Sequence, residues 1–262
     1  MNEPDFLTHN LTALRRNDPH LASRLAAMRS ARRPERYDFL QSRSGHTVPA
    51  WRDEGGTARP LHSLVDPLRE AARLIGQTKD EGFFVFLGLG GGFAIAEALA
   101  RPTAEQVLVI DYDLVAVAEL LAAIDYTTIL GDTRCVLLVD EPASLVEQTI
   151  LERYQPALAN GIRALPLRTR IAASGSALFD TALAAIQRAI ELVSDDYSVQ
   201  AFFGTRWFSN SIRNLACFID QAADQPSFPS VKHVSICGAG PSLDMQFTRL
   251  AEKRRDTFLM AT

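Results

Sequence analysis

The sequence predicts an α/β fold: a doubly wound parallel sheet, then a helical connector, then the truncated start of a second α/β domain. Three observations carry this expectation. The runs 83–87 and 135–139 are continuously apolar and 106–110 is apolar after Gln106, without the polar alternation of a half-exposed sheet, so each strand needs cover on both faces. Helical patterns separate these runs, which is the signature of parallel strands joined by crossovers. Glycine clusters follow two of the apolar runs and open helices, at 88–92 and again at 238–240.

The elements follow in order. Residues 1–58 read as a peripheral region, with a helix start at Asn17-Asp18-Pro19 and a hairpin over 37–51 turning at Ser44-Gly45. Gly55-Gly56 marks the entry to a domain spanning 59–195. A helix is expected over 60–75, with Asp66 as cap and Pro67 in its first turn. Helices to Ala100 and over 114–123, 143–154 and 177–193 alternate with the three strands and a fourth at 162–167. Residues 196–228 read as helical connector and linker, carrying an aromatic-apolar stripe through Trp207, Phe208, Ile212, Leu215 and Phe218 that suits packing. Asp195-Asp196 reads as the end of the preceding helix. The last stretch, 229–262, begins a second strand–glycine–helix unit, and a lone β-α-β unit cannot cover its own sheet faces.

Composition narrows the function. With 27 basic against 31 acidic side chains the net charge is −4, and no basic surface suited to nucleic acid is evident. Cys135, Cys217 and Cys237 are scattered and the five histidines show no paired spacing, which argues against a disulfide framework and against a metal site. No leader pattern or apolar run of about 20 residues occurs, so a cytoplasmic protein without a membrane span is expected.

Candidate site residues lie on the two glycine turns. Gly88, Gly90 and Gly92 follow a strand and precede a helix, where backbone N–H groups favour an anion. Asp111 ends the next strand, 21 positions after Gly90, where an acidic residue grips ribose hydroxyls in nucleotide-binding sheets. Phe93 replaces the third glycine of the dinucleotide fingerprint, and the spacing suits S-adenosylmethionine-dependent methyltransferases better. A tight turn without ligand, with Asp111 or Asp113 capping a helix, explains the same residues. In the second turn Gly238, Gly240, Pro241 and Ser242 suit either a small phosphate or nucleotide cradle or a structural turn, with Asp244 accepting from a sugar or base hydroxyl or capping the helix.

The heptapeptide Gly238-Ala239-Gly240-Pro241-Ser242-Leu243-Asp244 resembles the signature of the motility accessory factor family, which shares a domain with archaeal 6-hydroxymethylpterin pyrophosphokinase-like proteins. Supporting stretches are Leu61-His62-Ser63, Asp66-Pro67-Leu68-Arg69-Glu70-Ala71, Phe86-Leu87-Gly88-Leu89-Gly90 and the run from Trp207 to Leu215, so the resemblance covers about 60–262. It implies a Rossmann-like N-terminal domain followed by a sialyltransferase-related catalytic domain. It implies transfer of a nonulosonic acid from its CMP donor to flagellin Ser or Thr hydroxyls. Gly238, Gly240, Pro241 and Ser242 would then face the CMP phosphate, with no tightly bound cofactor and with catalytic residues beyond residue 262. A pterin pyrophosphokinase-like enzyme, a non-catalytic docking module and an S-adenosylmethionine-type nucleotide-binding domain are the alternatives.

Overall fold

A computed structural model describes residues 6–28, 36–53, 55–78, 80–174, 177–221, 233–237, 241–253 and 256–261. The chain divides into two compact units, Met1–Ser198 and Val199–Thr262.

The first unit begins with helices α1 (Phe6–Asn17) and α2 (Pro19–Ala27). An antiparallel three-stranded sheet follows, with β1 (Tyr37–Gln41), β2 (Thr47–Arg52) and β3 (Ala58–Pro60) in that order. The expected 60–75 helix starts later, as α3 (Pro67–Gly76), because the Asp66 carboxylate accepts the Arg69 N–H and so fixes the first turn there. Pro60 instead pairs with Ala50 in the sheet. Leu61 and His62 are thereby left as a connecting segment.

The alternating part is β4 (Phe83–Leu87), α4 (Phe93–Leu99), β5 (Gln106–Asp111), α5 (Leu114–Ala123), α6 (Thr127–Leu130), β6 (Cys135–Val139), α7 (Ala143–Arg153), α8 (Pro156–Ala159), β7 (Ile162–Pro166) and α9 (Arg168–Ser174). The four strands are parallel and stand in the order β6-β5-β4-β7. The chain thus winds outward from β4, then crosses back to the other side of it. This is a doubly wound, Rossmann-like sheet, and its winding reverses between β4 and β7.

Side chains alternate between two buried faces, as strand geometry requires. Phe84, Phe86, Val107, Val109 and Leu137 pack with Leu11, Leu14, Leu25 and the apolar side of α5. Phe83, Val85, Leu87, Leu108 and Ile110 pack on Val146, Ile150 and the stripe Phe179, Ala182, Ala185, Ile186 and Ala189. That stripe opens α10 (Ala177–Gln221), which continues through Asp195-Asp196 instead of ending there. Residues 6–28 and 36–53 share the first core with the sheet, so the stretch read as peripheral belongs to the body of this unit.

In the second unit β8 (His233–Cys237), α11 (Pro241–Glu252) and β9 (Thr257–Ala261) form a parallel strand pair with its crossover helix. Among the described residues β8 bonds to β9 alone and is not part of the four-stranded sheet. Val234 and Ile236 on β8 are exposed, as are Trp207, Phe208, Ile212 and Leu215 on α10, from the stripe expected to be packed; the side chain of Phe218 lies outside what is described. Among the described residues no helix is long and apolar enough to cross a membrane.

Candidate functional site

In open α/β sheets the crevice at the point where strand order reverses takes the ligand. Here that crevice lies at the carboxyl ends of β4 and β7, and the first glycine turn lies in it. Gly90 has φ +50° and Gly92 φ +74°, left-handed values that glycine adopts without strain. Side chains crowd the turn at Gly90 and Gly92, while Gly88, Leu89 and Gly92 also line a pocket. A Cβ on Gly90 would stand 2.6 Å from both Nε2 of His62 and Cδ2 of Leu167. One on Gly92 would stand 2.8 Å from Cδ1 of Ile129. Protein side chains fill the space that the glycines leave.

Two donors of the turn are taken by side chains. The Leu89 N–H donates to Oδ2 of Asp111 at 2.7 Å. The Gly91 N–H donates to Nε2 of His62 at 2.8 Å. The Gly90 carbonyl accepts from the Tyr126 hydroxyl. His62 can accept because burial holds its imidazole neutral, with the pKa lowered to about 4. Glu70, whose Oε2 lies 4.0 Å from Nδ1, pulls the other way. Burial prevails because that distance is too long for a hydrogen bond and the carboxylate already accepts the Ser63 N–H at 2.8 Å. Phe93, in place of a third glycine, packs edge-on against the His62 ring, with centroids 5.2 Å apart.

Asp111 is fully buried and does not present its carboxylate to a ribose. Besides Leu89 it accepts the Tyr112 N–H at 2.7 Å and the Arg170 guanidinium at 2.9 Å. Burial raises its pKa, while the Arg170 charge and the two N–H donors lower it. Arg170, equally buried, also donates to the Tyr112 carbonyl, and its guanidinium carbon lies 4.4 Å from the Trp51 ring centroid. Asp113, not Asp111, caps α5 by accepting from the Val115 and Ala116 N–H groups.

The N-terminal sheet completes the closure. Glu119 of α5 accepts the Arg36 and Tyr37 N–H groups, and Arg36 Nε lies 3.1 Å from Asp113. With Trp51 on Arg170, these contacts hold β1 and β2 over the carboxyl end of β5, where a nucleoside would lie. Sequence reasoning missed His62, Trp51 and Arg170. None has a spacing signal, because each meets the turn through the tertiary fold.

Beside the filled turn a pocket of about 270 Å³ remains between α3, the start of α4 and the segment after β7. Arg73, Leu74, Phe86, Phe93 and Arg168 are among its lining residues. In the second glycine turn Gly238 and Gly240 lie outside the described residues. Pro241, Ser242 and Asp244 fall in the first turn of α11, with their side chains also outside what is described.

No family model matches the chain, and no curated protein does. Among solved structures it is similar to the crystal structure of MNMC2 from Aquifex aeolicus, at 13% identity and a TM-score of 0.27. That match covers 49% of this chain and 50% of the other. A likeness at this level gives no ligand and no activity.

Proposed function

We propose that this chain is the N-terminal part of a flagellin-modifying glycosyltransferase, one that moves a nonulosonic acid from a CMP donor to Ser or Thr hydroxyls. In this reading the first unit is a non-catalytic platform of Rossmann-like form. The donor phosphate is handled at the second turn by Gly238, Gly240, Pro241 and Ser242, with Asp244 toward the sugar or base. One observation carries the division of labour: the first glycine turn spends its Leu89 and Gly91 donors on Asp111 and His62. Those two N–H groups are not free to cradle a phosphate, which weakens the reading of the first unit as a nucleotide or S-adenosylmethionine holder. The assignment to sugar transfer itself rests on the heptapeptide 238–244 and its companions. The separate β8–β9 pair, with Val234 and Ile236 uncovered, is in keeping with a second α/β unit beginning there.

The test is deletion of the gene in the organism that encodes it, followed by intact-mass measurement of its flagellin. Loss of mass in whole nonulosonic acid increments is expected, with recovery on complementation. Flagellin of unchanged mass overturns the proposal. ATP-dependent pyrophosphoryl transfer to a hydroxymethylpterin by the purified protein would favour the pterin alternative.

A further inference from the structure

We infer that the pocket beside the glycine turn is a binding site for a small organic anion with an apolar body, an aryl or branched-alkyl carboxylate or phosphate monoester. The inference stands apart from the sugar-transfer proposal, because it concerns the first unit alone.

The position is the first argument. The pocket takes its walls from the segments that follow β4 and β7, the two strands flanking the reversal point, where open α/β sheets hold ligands. The cavity reaches from Gly88, Leu89 and Gly92 of the turn to α3. Size is the second. About 270 Å³ lies near the lower end of the roughly 300–1,000 Å³ that small-molecule sites occupy, which suits a single ring and its substituent and excludes a dinucleotide.

Chemistry is the third. Phe86, a core residue only 4% exposed, and half-buried Phe93 give the pocket apolar surface, and Leu74, 39% exposed, adds to it. Two cations, Arg73 and Arg168, belong to the lining, and neither forms an ion pair with a described residue. The acidic group there, Glu70, is already engaged by the Ser63 N–H. His62 is neutral and turned to Gly91. The pocket therefore offers an apolar chamber and two arginines suited to fork-like pairing with a carboxylate or phosphate. A second groove shares Arg73 and Glu70 and adds Arg43, Arg69 and Asp66, so its three arginines outnumber its two carboxylates.

The experiment is calorimetry on the full chain with 3-phenylpropionate and phenyl phosphate, against the neutral 3-phenylpropanamide and the cationic benzylamine. Saturable binding of the two anions is expected, at least about ten-fold tighter than the amide, since hydrogen bonds to a charged group contribute roughly 1.5–3 kcal/mol. The double variant Arg73→Ala/Arg168→Ala removes that preference. Leu74→Trp, which fills the chamber, weakens all ring-bearing probes together. Both sites are exposed, so unchanged urea midpoints are expected and separate lost binding from lost folding. Equal affinity for the anions and the amide overturns the inference, as does anion binding that survives the double variant. Absence of saturable binding by either anion at millimolar concentration overturns it too.

Discussion

At the residue scale the molecule turns on groups that face inward around the first glycine turn. His62 is the plainest. Its pKa falls from 6.5 in the unfolded chain to about 4 in the fold, so the folded state binds fewer protons between these values. Stability from this group is fully present above pH 6.5 and is lost as pH falls toward 4, by about 3 kcal/mol in all. Urea unfolding across that window, compared with His62→Leu, checks this. The variant is expected to lose about 1–3 kcal/mol at pH 7, because the Gly91 N–H is left unsatisfied, and to show a shallower acid-side slope. Parallel slopes for the two proteins would remove His62 from the account. Gly90→Ala combines a left-handed φ with a Cβ 2.6 Å from His62 and Leu167, and a loss of about 2–4 kcal/mol is expected by the same measurement. Arg170→Met strands the Asp111 carboxylate in the core, and about 3–5 kcal/mol of destabilisation is expected.

At the scale of elements, the N-terminal helices and sheet are structural partners of the α/β sheet. Asn10 of α1 is fully buried and donates to the Leu121 and Ile124 carbonyls at the end of α5, while its own oxygen accepts the Tyr126 N–H. One side chain thus closes a helix end and steers the chain into α6. Asn10→Leu leaves three buried backbone groups without it, and a loss of more than 2 kcal/mol is expected in thermal or urea unfolding. The strands were legible in the sequence because continuous apolar runs of five or six residues permit few other structures. The cap at Asp66-Pro67 was legible for a local reason as well, though the strand at 58–60 was not, since its pairing with β2 is tertiary. The glycine turn was found at the right place, but the distant residues that meet it were not. Spacing located Asp111, but Arg170 reaches it from 59 positions away, and His62 reaches Gly91 from 29. Local pattern does not encode such contacts. Cys135, read as a small hydrophobe, is buried on β6, and burial pushes its thiol up to about 12, well away from nucleophilic use.

At the scale of the whole molecule, the fold is that of a nucleotide-binding sheet while its nucleotide crevice is closed by the chain itself. The three-stranded sheet covers the carboxyl end of β5, and Leu61-His62 enters the turn after β4. This separates fold from function in a way the topology alone does not disclose. On the sugar-transfer proposal it directs the search for donor binding to residues 238–244 in the second unit.

Amide hydrogen exchange at Leu89 and Gly91 tests this closure most directly. Both N–H groups are predicted to exchange as slowly as those of β4 within the same sheet, because side-chain acceptors hold them inside the fold. Exchange as fast as at the exposed Gly55-Gly56 turn would contradict the account and reopen the first glycine turn as a ligand cradle.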